Sequence, residues 1–256
     1  MTYLRSIWLP RAVAAVALLT GAAMPAKADV LLDDFSNPNP AVSYSISSTS
    51  PAPFSNSTNL GTSALLGVTV NRTASVNVTD GLTTFPTTGF VGVDSNLGAG
   101  FAIFTPGGTT AVGDLKYTFG SAANFTTSGV DSLSLNFKSA DLNVPYSFVL
   151  TDANGTKAIV TGLETASSGQ GAGTYTTSLS AFVANNPAID LTKITEFDIE
   201  VNGKSGSLSP APSADFQLGS VSIVQSANPV PAPPAVLLAA AALPALGLRR
   251  VLRKKA

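Results

Sequence analysis

The sequence predicts an all-β protein built as an antiparallel β-sandwich. Three observations predict it. Short stretches in which apolar and polar residues alternate recur between residues 29 and 225, and Asp152-Ala153-Asn154-Gly155 is a strong hairpin signal. Over the same span only residues 178–185 could form a helical turn or two. Because about 200 residues suit a single sandwich, we expect one domain over residues 29–225.

The predicted strands follow one another along the chain. Alternation with a period of two places apolar side chains on one sheet face and polar ones on the other. The stretches that show it are residues 42–46, 76–78 before the turn at Asp80-Gly81, 115–119, 133–137, 146–150, 158–160 and 197–201. Residues 37–63, rich in Ser, Thr, Pro and Asn, predict a loop region with room for one strand. Residues 205–213 predict a loop before the last strand pair.

The first 28 residues have the layout of a secretory signal peptide, with a signal helix at their centre. Arg5 and Arg11 precede an apolar core over residues 12–19, and Ala26-Lys27-Ala28 forms a small-x-small cleavage site. The core is too short to span a bilayer. We expect signal peptidase to cut between Ala28 and Asp29.

The last 31 residues run in a fixed order: a proline-rich linker over residues 226–234, an uncharged apolar run over 235–248, and a basic end. The linker contains Val230-Pro231-Ala232-Pro233, which cannot enter a helix interior. The apolar run predicts a single hydrophobic helix of roughly 21 Å, shorter than a hydrocarbon core of about 30 Å. The basic residues, which the positive-inside rule places in the cytoplasm, are Arg249, Arg250, Arg253, Lys254 and Lys255.

This order resembles the PEP-CTERM sorting signal of exported Gram-negative bacterial proteins. The resemblance implies that an exosortase-like membrane enzyme recognises the box at Val230–Pro233, where Ala232 stands in place of the family's glutamate. It also implies tethering at the inner membrane before processing, and then release to the cell surface or extracellular matrix. The alternative is a plain membrane anchor over residues 235–256.

Composition excludes several kinds of chemistry. The chain has no cysteine and no histidine, so it lacks thiolate and imidazole groups for catalysis or zinc binding. All 15 acidic residues but only six basic ones fall within residues 29–227, which gives this part a net charge of −9. Such a charge repels nucleic acid, and we expect no nucleic-acid partner.

A second resemblance concerns the two ends of the domain. Residues 30–35, 194–201 and 214–223 are similar to the strands of jelly-roll sandwiches in carbohydrate-binding modules and galactose-binding-like domains. Gly219 holds the position of that family's late aspartate, and Asp215 lies four residues earlier. Asp33, Asp34 and Asp215 could supply carboxylate oxygens to a structural Ca²⁺. The alternative, which we favour, is that adjacent acids protect an edge strand from pairing with another chain.

Other acidic residues allow more than one interpretation. Glu196, Asp198 and Glu200 share one strand face and could bind a cation or a hydroxylated ligand, but their alternation with apolar residues favours a solvated outer face. A glycoside hydrolase needs two carboxyl groups beside a cleft. Glu164, Glu196 and Glu200 are the candidates, and nothing in their spacing selects a pair. We therefore expect no enzyme.

Sugar sites stack aromatic rings on pyranose faces, and four tyrosines are available: Tyr44, Tyr117, Tyr146 and Tyr175. The first three lie in the apolar register, so we expect them in the core, with Tyr175 exposed. The sequence thus predicts an exported structural or adhesive component of the cell surface or polysaccharide matrix, without a cofactor. The alternative is a module that binds exopolysaccharide, and the third is a hydrolase. Aromatic side chains on an outer sheet face would favour the binding module.

Overall fold

The computed structural model describes residues 29–36, 42–46, 53–81, 86–94, 96–165, 172–204 and 207–226. They form 13 strands and one helix. The strands are β1 Asp29–Asp33, β2 Val42–Ile46, β3 Phe54–Thr62, β4 Thr69–Asp80, β5 Thr87–Asp94, β6 Gly98–Phe104, β7 Thr110–Ala123, β8 Val130–Ala140, β9 Val144–Asp152, β10 Lys157–Glu164, β11 Gly173–Ser178, β12 Ile194–Val201 and β13 Phe216–Gln225. The helix, α1, is Leu179–Asn185.

The strands pair into two antiparallel sheets that form a sandwich, which confirms the predicted fold class. The first sheet has the order β11-β8-β13-β6-β5-β2, and β1 pairs with β13 beside this path. The second has the order β10-β9-β12-β7-β4-β3. Most strands that pair within a sheet are distant in sequence, so strands from the whole domain contribute to one core.

The predicted alternation decides which side chains enter the core. Leu133, Leu135 and Phe137 of β8 are buried, and so are Leu115 and Tyr117 of β7. They belong to one hydrophobic cluster that both sheets contribute to. The polar residues between them therefore lie on the outer faces of the sandwich.

The two ends of the domain lie side by side. Asp29 of β1 is the register partner of Val224 of β13, and the pairing continues to Asp33 with Val221. The first and last predicted strands are thus in the same sandwich, as the sequence indicated.

A buried ion pair ties β1 to the second sheet. Arg72 of β4 donates from Nη1 to Asp33 Oδ1 at 3.1 Å and Oδ2 at 2.9 Å. The Tyr117 hydroxyl donates to Asp33 Oδ2 at 3.1 Å, and the Phe35 amide donates to Oδ1 at 2.8 Å. The Phe35 ring centroid lies 5.6 Å from the guanidinium carbon. A polar cluster therefore bridges the two sheets inside an apolar core.

The structure also differs from the sequence prediction. Residues 37–63 contain β2 and the nine-residue edge strand β3, and strands β5, β6 and β11 were not predicted. The helical turn within residues 178–185 is confirmed as α1. The predicted signal peptide (1–28), proline box (230–233) and hydrophobic helix with its basic end (235–256) lie outside the described residues. Within the described ranges, no helix is long and apolar enough to cross a membrane.

Candidate functional site

An open groove lies on the outer face of the first sheet, over β2, β5 and β6. Its volume is about 410 Å³, within the range of about 300–1,000 Å³ of small-ligand pockets. Two phenylalanine rings, one leucine, three hydroxyl side chains, one carboxylate and one glycine line it: Phe90, Phe104, Leu97, Ser43, Ser45, Thr88, Asp94 and Gly89.

The strand register places these side chains on the outer face. Ser43 is opposite Phe90, and Ser45 is opposite Thr88, which in turn is opposite Phe104. The neighbouring positions, Val91 and Ile103 among them, belong to the core cluster, whereas Phe90 and Phe104 do not. The half-buried Phe104 ring, with hydroxyl groups beside it, therefore faces solvent. Phe90 retains only 4% of its surface exposed, so it lies at the bottom of the groove.

The carboxylate of Asp94 lies at the other end of the groove. Its Oδ1 accepts hydrogen bonds from the amides of Asn96 at 2.7 Å and Leu97 at 3.0 Å. The Leu97 carbonyl in turn accepts a bond from Gln217 Nε2 at 3.0 Å. Thr88 and Asp94 are six residues apart on β5, about 20 Å of extended strand. The groove is therefore long, with a fixed carboxylate at one end.

This arrangement suits a hydroxylated ring compound better than a purely apolar or purely ionic ligand. Phenylalanine faces pack against apolar C–H surfaces. Serine and threonine hydroxyls both donate and accept hydrogen bonds, and a carboxylate accepts them. Because the groove is open along its length, an extended chain of such rings can lie in it.

The three aspartates predicted for calcium have separate partners. Asp33 is buried against Arg72, and burial raises the pKa of Asp33 although Arg72 lowers it. Asp34 is exposed, and its Oδ1 accepts the Ser36 amide at 2.9 Å. Asp215 Oδ1 accepts the Thr105 amide at 2.6 Å. Among the described residues, no group of three or more acidic side chains is arranged to hold a metal ion.

The acidic residues of β12 lie on the outer face of the second sheet. Asp198 is opposite Lys116 and Glu200 is opposite Asp114, while Glu196 contacts Lys116 at 3.4 Å. Burial and the neighbouring Asp114 carboxylate raise the pKa of Asp198 to about 8. Burial, with Asp114 again, raises the pKa of Glu200. Burial and the nearby Asp114 and Glu196 carboxylates therefore favour the protonated form of Asp198, and Lys116 opposes them only in part.

The predicted hydrolase candidates are not paired across a cleft. Glu196 and Glu200 are four residues apart on β12, about 13 Å of extended strand. Each also has its own neighbour on the second sheet: Glu196 contacts Lys116, and Glu200 lies opposite Asp114. Glu164 is on β10 and only 1% exposed. It accepts a hydrogen bond from the Tyr175 side chain, and burial, followed by this bond, raises the pKa of Tyr175.

Of the four tyrosines considered for sugar stacking, the three whose side chains are described pack in the interior. Tyr117 and Tyr146 are buried. Tyr175, which we expected to be exposed, is half-buried and packs against Phe137 with ring centroids 5.8 Å apart and against Tyr146 at 5.3 Å. The side chain of Tyr44 lies outside the described residues. The aromatic rings that do line a groove, Phe90 and Phe104, were missed in the sequence.

A sequence signal for the groove exists but is weak. The residues of β5 read TTGFVGVD, in which Phe90 and Val91 are adjacent. Both faces of this strand are therefore partly apolar, and alternation cannot show whether Phe90 or Val91 faces outward. The approach of β2 to β5 brings Ser43 and Ser45 beside the rings, and that pairing is set by tertiary structure.

No protein-family model matches the chain, and no curated protein sequence matches it. Similar solved structures include a family 11 carbohydrate-binding module from Clostridium thermocellum, in complex with a β-1,3-1,4-mixed-linked tetrasaccharide. It is 12% identical, with a TM-score of 0.38, over 78% of this chain and 98% of that one. An exo-β-agarase is 12% identical, with a TM-score of 0.41, over 78% of this chain and 26% of that one. A DUF4465 family protein from Bacteroides ovatus is 11% identical, with a TM-score of 0.26, over 79% of this chain and 95% of that one. These sequence identities and TM-scores are too low to assign a ligand to this chain.

Proposed function

We propose that the sandwich is a non-catalytic carbohydrate-binding domain whose site is the groove over β2, β5 and β6. The observation that carries the proposal is the pair of phenylalanine rings on the outer sheet face, beside Ser43, Ser45 and Thr88. Apolar rings flanked by hydroxyl groups match the two kinds of surface that a pyranose presents. The open groove, about 20 Å along β5, suits a polysaccharide segment.

The export of the domain is a further part of this proposal. The signal-peptide pattern with cleavage after Ala28, and the proline box and basic apolar tail that resemble a PEP-CTERM signal, support it. Signal peptidase and an exosortase-like membrane enzyme are the processing partners this implies. A secreted domain that binds exopolysaccharide would then attach to the cell surface or matrix, which joins the adhesive role to the binding role. We assign the sandwich to the jelly-roll type because residues 30–35, 194–201 and 214–223 resemble the strands of jelly-roll carbohydrate-binding modules.

A binding assay with groove variants tests the proposal. The full-length protein is run by affinity electrophoresis in gels that contain, one at a time, neutral, amino-sugar and uronic-acid polysaccharides. At least one of them should retard the parent protein. Phe104→Ala removes a half-buried ring of the groove and should abolish most of the retardation. Ser45→Arg fills the exposed rim beside Thr88 and should do the same.

Matched controls come from the opposite sheet. Ser55→Arg adds the same side chain to an exposed serine of β3, and Ile159→Ala removes an exposed apolar group from β10. Neither should change the retardation. Thermal unfolding establishes that all four variants fold. The proposal fails if no polysaccharide retards the parent, or if the folded groove variants are retarded as strongly as the controls.

A further inference from the structure

We propose that the groove selects glycans carrying a free amino group, and that Asp94 is the residue that determines this specificity. The inference rests on the proposed function, because it names the ligand class of the same site. Its basis is the chemistry of the lining: among the described residues the one charged side chain there is a carboxylate, and the remaining side chains are aromatic, aliphatic or hydroxylated.

The Asp94 carboxylate is held in place before any ligand arrives. Two backbone amides fix its Oδ1, and these bonds close the turn that contains Asn96 and Leu97. Among the described residues, Oδ2 has no hydrogen-bond partner. Asp94 is half-buried, so an ammonium group beside it would be screened less than at an open surface. The turn therefore presents a fixed acceptor to the groove at little cost in side-chain entropy.

The aromatic rings add to the attraction for an ammonium group. The face of a phenylalanine ring carries negative potential and attracts cations. Phe104 lies opposite Thr88, at the far end of the groove from Asp94, so its ring would attract a second ammonium group of an amino-sugar chain and not the one beside Asp94. Lys138 on the outer face of β8 is the nearby basic group on this sheet, and its Nζ donates to the Ala99 carbonyl. The same Nζ lies 3.7 Å from where a Cβ would stand on Gly98, the register partner of Asp94, so the charge of Lys138 offsets part of the attraction of Asp94 for an ammonium group.

The net charge of the domain also favours cationic ligands. Residues 29–227 carry a net charge of −9, which speeds the approach of cationic chains and slows that of polyanions. Uronic-acid polymers would place carboxylates beside Asp94. We therefore expect the order of affinity to be amino-sugar polymer first, neutral polymer second and polyuronate last.

The test compares two probes that differ only in acetylation. A β-1,4-linked glucosamine tetramer and its fully N-acetylated counterpart are titrated into full-length protein by calorimetry at pH 6, where a primary amine is protonated. The free amine should bind about three- to fivefold tighter, the upper part of the range that one partly exposed ion pair supplies. High salt should reduce the ratio.

Asp94→Asn should bring the two affinities to within about twofold of each other, because the amide keeps an Oδ1 acceptor for Asn96 and Leu97 but loses the charge. The matched control is Asp80→Asn, which removes the same charge from an exposed turn where Oδ1 accepts the Gly81 amide at 2.8 Å. It should leave the ratio unchanged.

The outcomes separate this inference from the proposed function. Equal binding of both tetramers by the parent, or a preference for the free amine that survives Asp94→Asn, overturns the inference while carbohydrate binding stands. A preference lost equally in Asp80→Asn also overturns it, since net charge and not the groove would then be the cause. Binding of no glycan, neutral polymers included, overturns the proposed function itself.

Discussion

Arg72 places a positive charge in the centre of the sandwich with no exposed surface. Its partner Asp33 is almost as deeply buried, so neither charge has water as an alternative. Arg72→Met should therefore leave Asp33 as an uncompensated buried charge and lower the free energy of unfolding by about 3–5 kcal/mol. Urea unfolding followed by circular dichroism measures the loss.

A surface pair provides the comparison for this prediction. Lys116 lies 3.4 Å from Glu196, and its side chain is 39% exposed. Lys116→Met should cost less than about 1 kcal/mol, since exposed pairs contribute little. Similar losses in the two variants would contradict the role assigned to the buried pair. The double variant Arg72→Met with Asp33→Leu should recover part of the loss, because it removes both charges.

Asp198 makes stability depend on pH. Its pKa is raised to about 8 in the folded protein, against about 3.9 in an unfolded chain. Between these values the folded state binds more protons, so this contribution to stability is full at low pH and is lost as the pH rises through the folded pKa. The free energy of unfolding should fall by about 1–2 kcal/mol between pH 5 and pH 8, after discounting for partial exposure.

The groups that face Asp198 define the control experiment. Asp114 and Glu196 repel its charge, and Lys116 offsets part of that repulsion. Asp198→Asn should flatten the pH dependence and make the protein more stable than the parent at pH 8. Asp80→Asn, at the end of β4, should leave the dependence of the unfolding free energy on pH unchanged. A slope that persists in Asp198→Asn would show that another group causes it.

Single residues show which parts of the buried ion pair and of the groove could be predicted from the sequence. Arg72 lies among the alternating apolar positions Val70, Ala74 and Val76, so its inward direction is readable from β4. Its partner Asp33 is 39 residues away in sequence and cannot be identified from spacing, which is why Asp33 was assigned to calcium or to edge protection. The groove is harder still, because Ser43, Thr88 and Phe104 become neighbours only when three strands pair.

At the scale of the strand, Gly162 makes room for an aromatic ring. A Cβ at this position would lie 2.3 Å from the Tyr146 ring, which packs across β10 from β9. Gly162→Ala should therefore displace Tyr146 and lower the free energy of unfolding by about 1–3 kcal/mol, the usual cost of overpacking. Thermal unfolding measures the effect.

Gly107 is the matched control, because a Cβ there meets nothing within 4 Å. Gly107→Ala should change the free energy of unfolding by less than about 0.5 kcal/mol. Adding Tyr146→Leu to Gly162→Ala should reduce the penalty of the alanine, since the ring causes it. An equal effect of both glycine substitutions would mean that lost backbone freedom, and not the ring, is responsible.

The strands that the sequence predicted share one property. β7, β8 and β12 each have one apolar buried face and one polar face, and β9 departs from this only at Pro145 and Val149, so their alternation is visible in the residues themselves. β3 is an edge strand whose residues are mostly serine, threonine and asparagine, and it reads as a loop because few of its positions are apolar. β6 consists of GAGFAIF, in which small and apolar residues occupy both faces. Pairing partners, and not local pattern, define such strands.

For the molecule as a whole, the first strand and the residues after it complete the core. β1 pairs with the last strand, β13, and Asp33 and Phe35 contact Arg72 across the sandwich. The isolated segment 29–226 should therefore unfold in one cooperative transition. A segment of residues 36–226 should be unfolded, because losing Asp33 breaks the buried ion pair with Arg72 at a cost of about 3–5 kcal/mol. The lost strand pairing and Phe35 burial add to that cost, within a total stability of only about 5–15 kcal/mol.

A segment of residues 32–226 separates the two contributions of β1. It loses the pairs of Asp29, Val30 and Leu31 with β13 but keeps Asp33 and Phe35. Since Leu31 is 54% exposed, we expect this segment to fold with a modest loss of stability. Circular dichroism with urea unfolding of the three segments provides the measurement. If residues 36–226 unfold at the same urea concentration as residues 29–226, the ion pair does not hold the sheets together, and the core is complete without its first strand.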